Sequence, residues 1–452
     1  MPDVTDYRAK SYWLEQSGTN YTESPALEGL VRADALVVGG GFTGLSAAIH
    51  LKQTEPGMRV VLLESDVVGF GASGRNAGLV TAHFGMSLGA MLSLHGKANT
   101  QEAQHYGERA FRHLAELIKQ HHIECEYEST GYLRVATTPA QAQRIRKECE
   151  LAGSLGIGGI EWLDAQAVRA LVNSPAYLGA GGQDRCALVN PAKLARGLKQ
   201  VALDHGVEMY EHTPVTHLEL SPRARAKTPR GAVEAEKVAL ATNAFSSQFQ
   251  LLRPKQAPVH TYIVLTEPLS PAQLNALGWQ GRQGVEDARR LPHGYRLTHD
   301  NRLLVAGGDA RYFYGNQLGV DHHAPTFERL ERLISQTFPA LQGVRITHRW
   351  GGPISVTLGL APMLGTLGAE RRAVYSAGCM GHGVALSHLN GCAIGDLILE
   401  QRTELTSMFF VKRDTIPLPP EPLRAPLVNG FLAALRALDA FDERHGLGVR
   451  RQ

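Results

Sequence analysis

The stretch "ADALVVGGGFTGLSAAIHL", Ala33 to Leu51, decides the fold. Its apolar residues Ala35 to Val38 run into glycines without polar alternation, which predicts a short buried strand. The following "FTGLSAAIHLKQ" predicts a helix whose small residues Ser46, Ala47 and Ala48 let it lie close to a sheet. "PGM" breaks that helix, and "RVVLLES" supplies a second apolar strand, so the opening unit is βαβ. Gly39, Gly41 and Gly44 form G-x-G-x-x-G directly after the first strand. In that motif the first glycine permits a tight turn, the second lets a pyrophosphate approach the backbone, and the third allows close helix packing. The first-turn amides of the helix then face the anion. Glu64 ends the second strand twenty residues after Gly44, where a carboxylate accepts bonds from ribose hydroxyls.

Strand, motif, helix and acid together predict a dinucleotide site. An acid at position 64, with no arginine in its place, argues against a 2′-phosphate and leaves NAD and FAD open. The discriminating stretch is "GFGASGRNAG", Gly69 to Gly78, a second loop of glycines and small residues where an NAD domain usually continues into an ordinary helix. Such a loop can reach under a longer cofactor.

At 452 residues the chain is long enough for two interleaved domains. The 48 glycines exceed the usual share of about 7%, consistent with many tight turns and close backbone approaches. A formal charge of +3 without a Lys/Arg run gives no support for nucleic-acid binding. The five cysteines, Cys125, Cys149, Cys186, Cys379 and Cys392, are scattered without CxxC or zinc spacing, so reduced thiols in a cytoplasmic chain and no metal are expected. No signal peptide or membrane-spanning run is expected either.

Farther along, "ECEYESTGYLRVATT" alternates like strands of another sheet, and "GAVEAEKVALATNAFS" reads as re-entry into the first. "HTYIVLTEPL", "HGYRLTHDNRLLVAGGDARY" and "RITHRWGGPI" suit an antiparallel sheet with one face as a pocket wall. "RRAVYSAGCMGHGVALSHLNGCAIGDLIL" predicts strand, glycine turn and long helix. The expected organisation is α/β with an α+β second domain. A dinucleotide-binding domain is drawn from residues 30–98, 185–250 and 349–402, and a substrate domain with a mixed or antiparallel sheet from 99–184 and 251–348. Residues 403–452 form a proline-rich linker and an amphipathic helix, with Phe431, Leu435, Leu438 and Phe441 on one side. Docking of that helix onto the body is favoured, and a peripheral membrane contact is left open.

"VVGGGFTGLSAAIHL", "VVLLES", "GASGRNAG" and "SAGCMGHGVALSHLNG" resemble the D-amino-acid-oxidase (DAO) type of FAD-dependent oxidoreductases. "SYWLEQSGTNYTESPALEG" and "IPLPPEPLR" look like its γ-glutamylputrescine oxidase branch. The resemblance implies a glutathione-reductase-like Rossmann domain for FAD and a β-sheet substrate domain over the flavin. By motif it assigns the pyrophosphate to Gly39, Gly41, Phe42, Thr43 and Gly44, and the adenosine ribose to Glu64. Ser73, Arg75, Asn76, Ala77, Gly78 and Leu79 fall near the pyrophosphate, ribityl chain and flavin. Val215 corresponds to the position that holds the adenine by its backbone, and Gly381, His382, Gly383 and Val384 to the flavin C2 carbonyl. In sarcosine oxidases a cysteine near the late glycine-rich strand can carry the flavin covalently. "RWGGPISVTLGLAP" has none there, so non-covalent FAD is expected.

Flavin-dependent amine oxidation needs the substrate C–H bond held over the cofactor and a neutral nitrogen, with no obligatory acid–base pair. Expected pocket residues are Tyr295, Arg296, Arg311, Trp350 and His83. An arginine offers a fork for a carboxylate, and an aromatic face holds an amine chain. Tyr295, Arg311, Trp350 and His382 are the expected catalytic set, and His83, Tyr295, Arg296 and Arg311 the substrate contacts. The expected substrate is a small amine like γ-glutamylputrescine, or alternatively pipecolate, another N-substituted amino acid or an aminophosphonate. Oxygen or a respiratory quinone would take the electrons. A pyridine-nucleotide disulfide reductase lacks its cysteine pair here, and an FAD-binding sensor is the non-enzyme alternative.

Overall fold

The computed structural model describes residues 6–17, 21–413 and 416–449, with side chains described to residue 445. The first sheet is built on the strand Gly29–Val38, which pairs in parallel with Val60–Leu63 on one side and Gly231–Leu240 on the other. Ala373–Ala377 continues the parallel array beyond Gly231–Leu240. In register, Val38 faces Leu63 and Leu240, so these strands end at one edge. Gly39, Glu64, Ala241 and Gly378 follow at that edge. Ligands of open parallel sheets bind at such carboxyl ends.

Helices cover this sheet because its strands are apolar on both faces. Phe42–Thr54 crosses Gly383–Ile398, a helix buried almost all round. Ser46 Oγ lies 2.9 Å from His388 Nδ1, and His50 Nε2 2.7 Å from Asp396 Oδ1, tying the two helices by polar contacts inside an otherwise apolar layer.

The second, nine-stranded sheet takes strands from residues 132–183, 257–312 and 346–356 and is mostly antiparallel. Its strand Ile346–Val356 runs past the expected domain boundary at residue 349. Alternation along Ala257–Pro268 separates two cores. Tyr262 and Val264 pack with Tyr295 and Phe327 on one face, and Ile263 and Leu265 with Trp13 and Trp350 on the other.

The helix Arg424–Val449 docks onto the body as expected, but by the face opposite to the one its apolar pattern suggested. Phe431, Leu438 and Phe441 stay 49%, 47% and 54% exposed, whereas Leu432 and Asp439 are buried. Among the described residues no helix is long and apolar enough to cross a membrane.

Candidate active site

The cradle at the sheet edge requires its glycines. Gly39 adopts φ +112°, and a Cβ on Gly44 would lie 1.9 Å from Gly39 O. The helix Phe42–Thr54 therefore starts hard against the strand end, with Gly41 at its N-cap and no side-chain cap from that residue. Ser73 Oγ accepts from Phe42 N at 3.0 Å, which brings the second loop onto the first. The remaining first-turn amides have no intrahelical acceptor and suit a phosphate.

Glu64 Oε2 accepts from Gly40 N at 2.6 Å, and its Oε1 from Ser65 Oγ at 2.9 Å and Asp66 N at 3.1 Å. Burial raises its pKa above the ordinary carboxylate value, opposed by these donors. The carboxylate is thus fixed at the end of the second strand with lone-pair capacity to spare for ribose hydroxyls.

The loop after Glu64 is held by a set of donors whose role sequence reading missed. Ser11 Oγ donates to Gly74 O at 2.6 Å, Trp350 Nε1 to Arg75 O at 2.8 Å, and Trp13 Nε1 to Asn76 O at 2.9 Å. Arg296 Nη1 adds Gly78 O at 2.9 Å and Val189 O at 2.7 Å. Asn76 closes the loop on itself, its Nδ2 donating to Ala72 O at 2.9 Å and its Oδ1 accepting from Gly78 N at 2.7 Å. Successive carbonyls are therefore spent on the body of the protein. Ala77 lies within this pinned run, and Leu79 opens the short strand Leu79–Thr81 that leaves it.

These contacts correct several expectations. Arg296, expected at the substrate, is fully buried with Nη1 on backbone carbonyls of the loop and of Val189. Burial pulls its pKa down to about 10. Trp350, expected in the catalytic set, is a buried peg whose Nε1 donates to Arg75 O. Tyr295, expected in the pocket, is 1% exposed in the second core, its hydroxyl donating to Asp287 Oδ2 at 3.3 Å. Arg311 is ion-paired with Asp309 at 3.0 Å, in a cluster that Arg436 of the C-terminal helix joins at 3.1 Å. The Arg75 guanidinium pairs with Asp321 Oδ1 at 3.0 Å and donates through Nε to Phe70 O at 2.7 Å, so its side chain is committed to the protein. Val215 sits in an extended segment between Tyr210 and His217, half-buried at the rim of the first core.

Two expected residues are brought together. The turn "GCMG" places Gly378, Met380 and Gly381 at φ +80°, +54° and +89°, a run only a tightly constrained turn sustains. It delivers His382 to the N-cap of Gly383–Ile398, with Nδ1 buried and unpartnered, and with Val384 buried in the first turn. The His83 ring lies 5.5 Å from His382 edge to face and 5.1 Å from Tyr132. His83 Nε2 is 3.1 Å from Gln183 Nε2, and the Tyr132 hydroxyl is buried without a partner. Burial, with His382 and Arg134 adding to it, pulls His83 down to about 3, so its ring is neutral at working pH. Sequence reading missed Tyr132 and Gln183, which stand on the paired strands Tyr132–Ala136 and Gly179–Gln183. Their signal was only the alternation of "GYLRVA".

The cradle, the buried acid and the orphaned histidine at a helix start fit a flavin dinucleotide. The family pattern "FAD dependent oxidoreductase" (DAO) matches residues 34–397. Gamma-glutamylputrescine oxidoreductase of Escherichia coli (strain K12) is 33% identical over 397 residues, covering 86% of this chain and 88% of that one. "Probable oxidoreductase OrdL" of Haemophilus influenzae is 30% identical with the same coverage, 86% and 88%. Among solved structures, glycine oxidase from Geobacillus kaustophilus superposes with a TM-score of 0.71 at 21% identity, covering 85% of this chain and 100% of that chain. L-proline dehydrogenase from P. horikoshii gives 0.68 at 18% identity, over 85% and 98%. The chain belongs to the DAO family of FAD-dependent oxidoreductases.

Proposed function

We propose that this enzyme oxidises the C–N bond of a small primary or secondary amine that carries no carboxylate beside the reacting carbon, with γ-glutamylputrescine or a similar polyamine derivative as substrate. The observation that carries this reading is the engagement of the candidate arginines. Arg75 pairs with Asp321, Arg134 with Glu148, Arg296 with carbonyls and Arg311 with Asp309. Each of the four is engaged by an acceptor of the protein, with Arg134 Nε and Arg296 Nη2 left buried without a partner, so none is set aside for an α-carboxylate. Around His83 stand the Tyr132 and His382 rings and the Gln183 amide. Neutral aromatic faces accept an amine chain.

The Gly39–Gly44 cradle, Glu64 and the pinned loop Ser73–Leu79 would hold FAD, which would supply the two-electron acceptor. The protein contributes orientation and electrostatics. The start of Gly383–Ile398 stabilises neighbouring negative charge by about 0.3–2 kcal/mol. His83, His382 and Tyr132 would present their rings to the substrate, and the product imine hydrolyses in water to a carbonyl and an amine or ammonia. Attachment of FAD is non-covalent in this reading: Cys379 is buried beside Ser387 and burial pushes its thiol up, the opposite of a poised thiolate. Oxygen or a quinone would take up the electrons.

Anaerobic bleaching of the flavin tests this across polyamine derivatives and cyclic and linear amino acids. Polyamine derivatives are expected to bleach fastest. Fast bleaching by α-amino acids alone would overturn the substrate class, and bleaching by NADH alone would overturn amine chemistry.

A further inference from the structure

We propose that Glu286 recognises a second, cationic nitrogen of the amine substrate, an inference that rests on the amine reading above. Register sorts the middle strands of the second sheet into two faces. Tyr132 pairs with Gln183 on one side and Gly284 on the other, and Arg134 pairs with Glu286. Side chains alternate along a strand, so Tyr132, Arg134, Gln183 and Glu286 stand on one face. Leu133, Val135 and Val285 stand on the other and close the second core. The first face is turned to the candidate site, since the His83 ring packs on Tyr132 and the His382 ring on His83. Glu286 is therefore a half-buried acid on the wall that fronts the two histidines.

Its charge has no cation of its own. Among the described residues no Lys, Arg or His nitrogen forms an ion pair with Glu286. Arg134, opposite it in register, bears on it through space but is committed to Glu148, whose other oxygen accepts from Leu88 N at 3.1 Å. One guanidinium thus serves two acids. Asp287, on the opposite face, has Arg289 and His293 to itself. The Tyr132 hydroxyl is buried without a partner on the Glu286 face, and the carboxylate, after burial, pushes that hydroxyl's pKa further up. A half-buried carboxylate without a cation is complemented by a ligand ammonium, which brings both charge and hydrogen-bond donors. The nitrogen held there is not the reacting one. Hydride loss needs a neutral amine, and a carboxylate beside it stabilises the protonated form. Glu286 lies two residues beyond Gly284, the partner of Tyr132, which is about 7 Å along the strand and the reach of a short diamine chain.

The test compares the FAD-loaded full chain with its Glu286→Gln variant. In anaerobic flavin reduction, putrescine and butylamine differ only by the second ammonium. From the substrate dependence of the bleaching rate, the wild type is expected to bind putrescine about tenfold or more tighter than butylamine, and the variant to bind the two within about twofold. A readout free of turnover is the difference spectrum of oxidised flavin titrated with butyltrimethylammonium, whose nitrogen has no lone pair and yields no imine. Its affinity is expected to fall about tenfold in the variant. A preference for putrescine that is absent from the wild type or survives in Glu286→Gln, or equal binding of butyltrimethylammonium by both proteins, would overturn the assignment. Bleaching by α-amino acids and by neither amine would overturn the amine reading instead, with the titration still deciding Glu286.

Discussion

Replacing Glu64 by Gln preserves size and removes one charge, at a position where the carboxylate is surrounded by donors. Its two oxygens face backbone amides, Gly40 N at 2.6 Å and Asp66 N at 3.1 Å. Either orientation of the new amide aims its NH2 at one of them. A buried donor left unpaired costs about 1–3 kcal/mol, which the apoprotein loses in stability. A hydroxyl bonded to a carboxylate contributes about 1 kcal/mol more than one bonded to a neutral amide, so each ribose bond adds roughly a further 5- to 10-fold loss of FAD affinity. The pH dependence has a definite sign. Burial holds the pKa of Glu64 above its ordinary 4.5, so between 4.5 and the raised value the folded apoprotein keeps a proton that the unfolded chain has lost. Stability from this group therefore falls as pH rises through that window. Ribose donors favour the carboxylate and pull the pKa back down. FAD binding then releases a proton, and affinity rises with pH up to the raised value and is flat above it. Titration of apoprotein with FAD, followed by quenching of flavin fluorescence from acid to neutral pH, should show this slope in the wild type and its absence in Glu64→Gln. A variant that binds FAD within about twofold of the wild type at neutral pH, with unchanged thermal stability, would refute the reasoning.

Arg296→Met keeps the side-chain stem but leaves the Val189 carbonyl without its side-chain donor and Gly78 O with Val189 N alone, so calorimetry should show a loss of about 1–3 kcal/mol together with weaker FAD retention. Asp287 is fully buried, paired with Arg289 and 2.9 Å from His293 Nδ1, which hold its pKa well below the usual carboxylate value despite burial. Its contribution is complete above the unfolded pKa of 3.8 and is lost as pH falls below it. Asp287→Asn should therefore cost about 3–5 kcal/mol near neutrality in urea unfolding and flatten the acid limb of the stability profile. With His83 pulled down to about 3, His83→Asn should change the maximal rate of anaerobic flavin reduction but leave the apparent pKa values of its pH profile in place. A limb that moves with the substitution would show that His83 titrates in the working range.

The cofactor cradle was legible because its signals are local. Glycine spacing, a strand before, a helix after and an acid at the next strand end are all written within Ala33–Glu64. The substrate side was read less well because alternation along a strand reveals two faces and does not say which one meets a pocket. Tyr295 and Arg296 are neighbours on one strand, yet one points into a core and the other onto the loop at Gly78. The bracing role of Ser11, Trp13 and Trp350 was hidden for a related reason: each touches the loop across dozens to hundreds of residues, and nothing near them in sequence marks the contact. The C-terminal helix shows the reverse error. Its periodicity was correct, but ion pairs to Arg144, Arg289 and Arg290 decided which face turned inward.

The donors on the loop carry a consequence for how the chain matures. Ser11 and Trp13 come from the first residues, Arg296 and Trp350 from the second sheet, and all of them must arrive before the carbonyls of Gly74, Arg75, Asn76 and Gly78 are engaged. The nucleotide-binding unit alone therefore does not complete its own site. Ligand binding stabilises only the conformation that presents the site, so FAD bound against this loop would act as a late lock on a nearly finished molecule. The yellow colour of a preparation then counts fully assembled chains, and a truncated or misassembled chain should stay colourless even where its glycine cradle has folded.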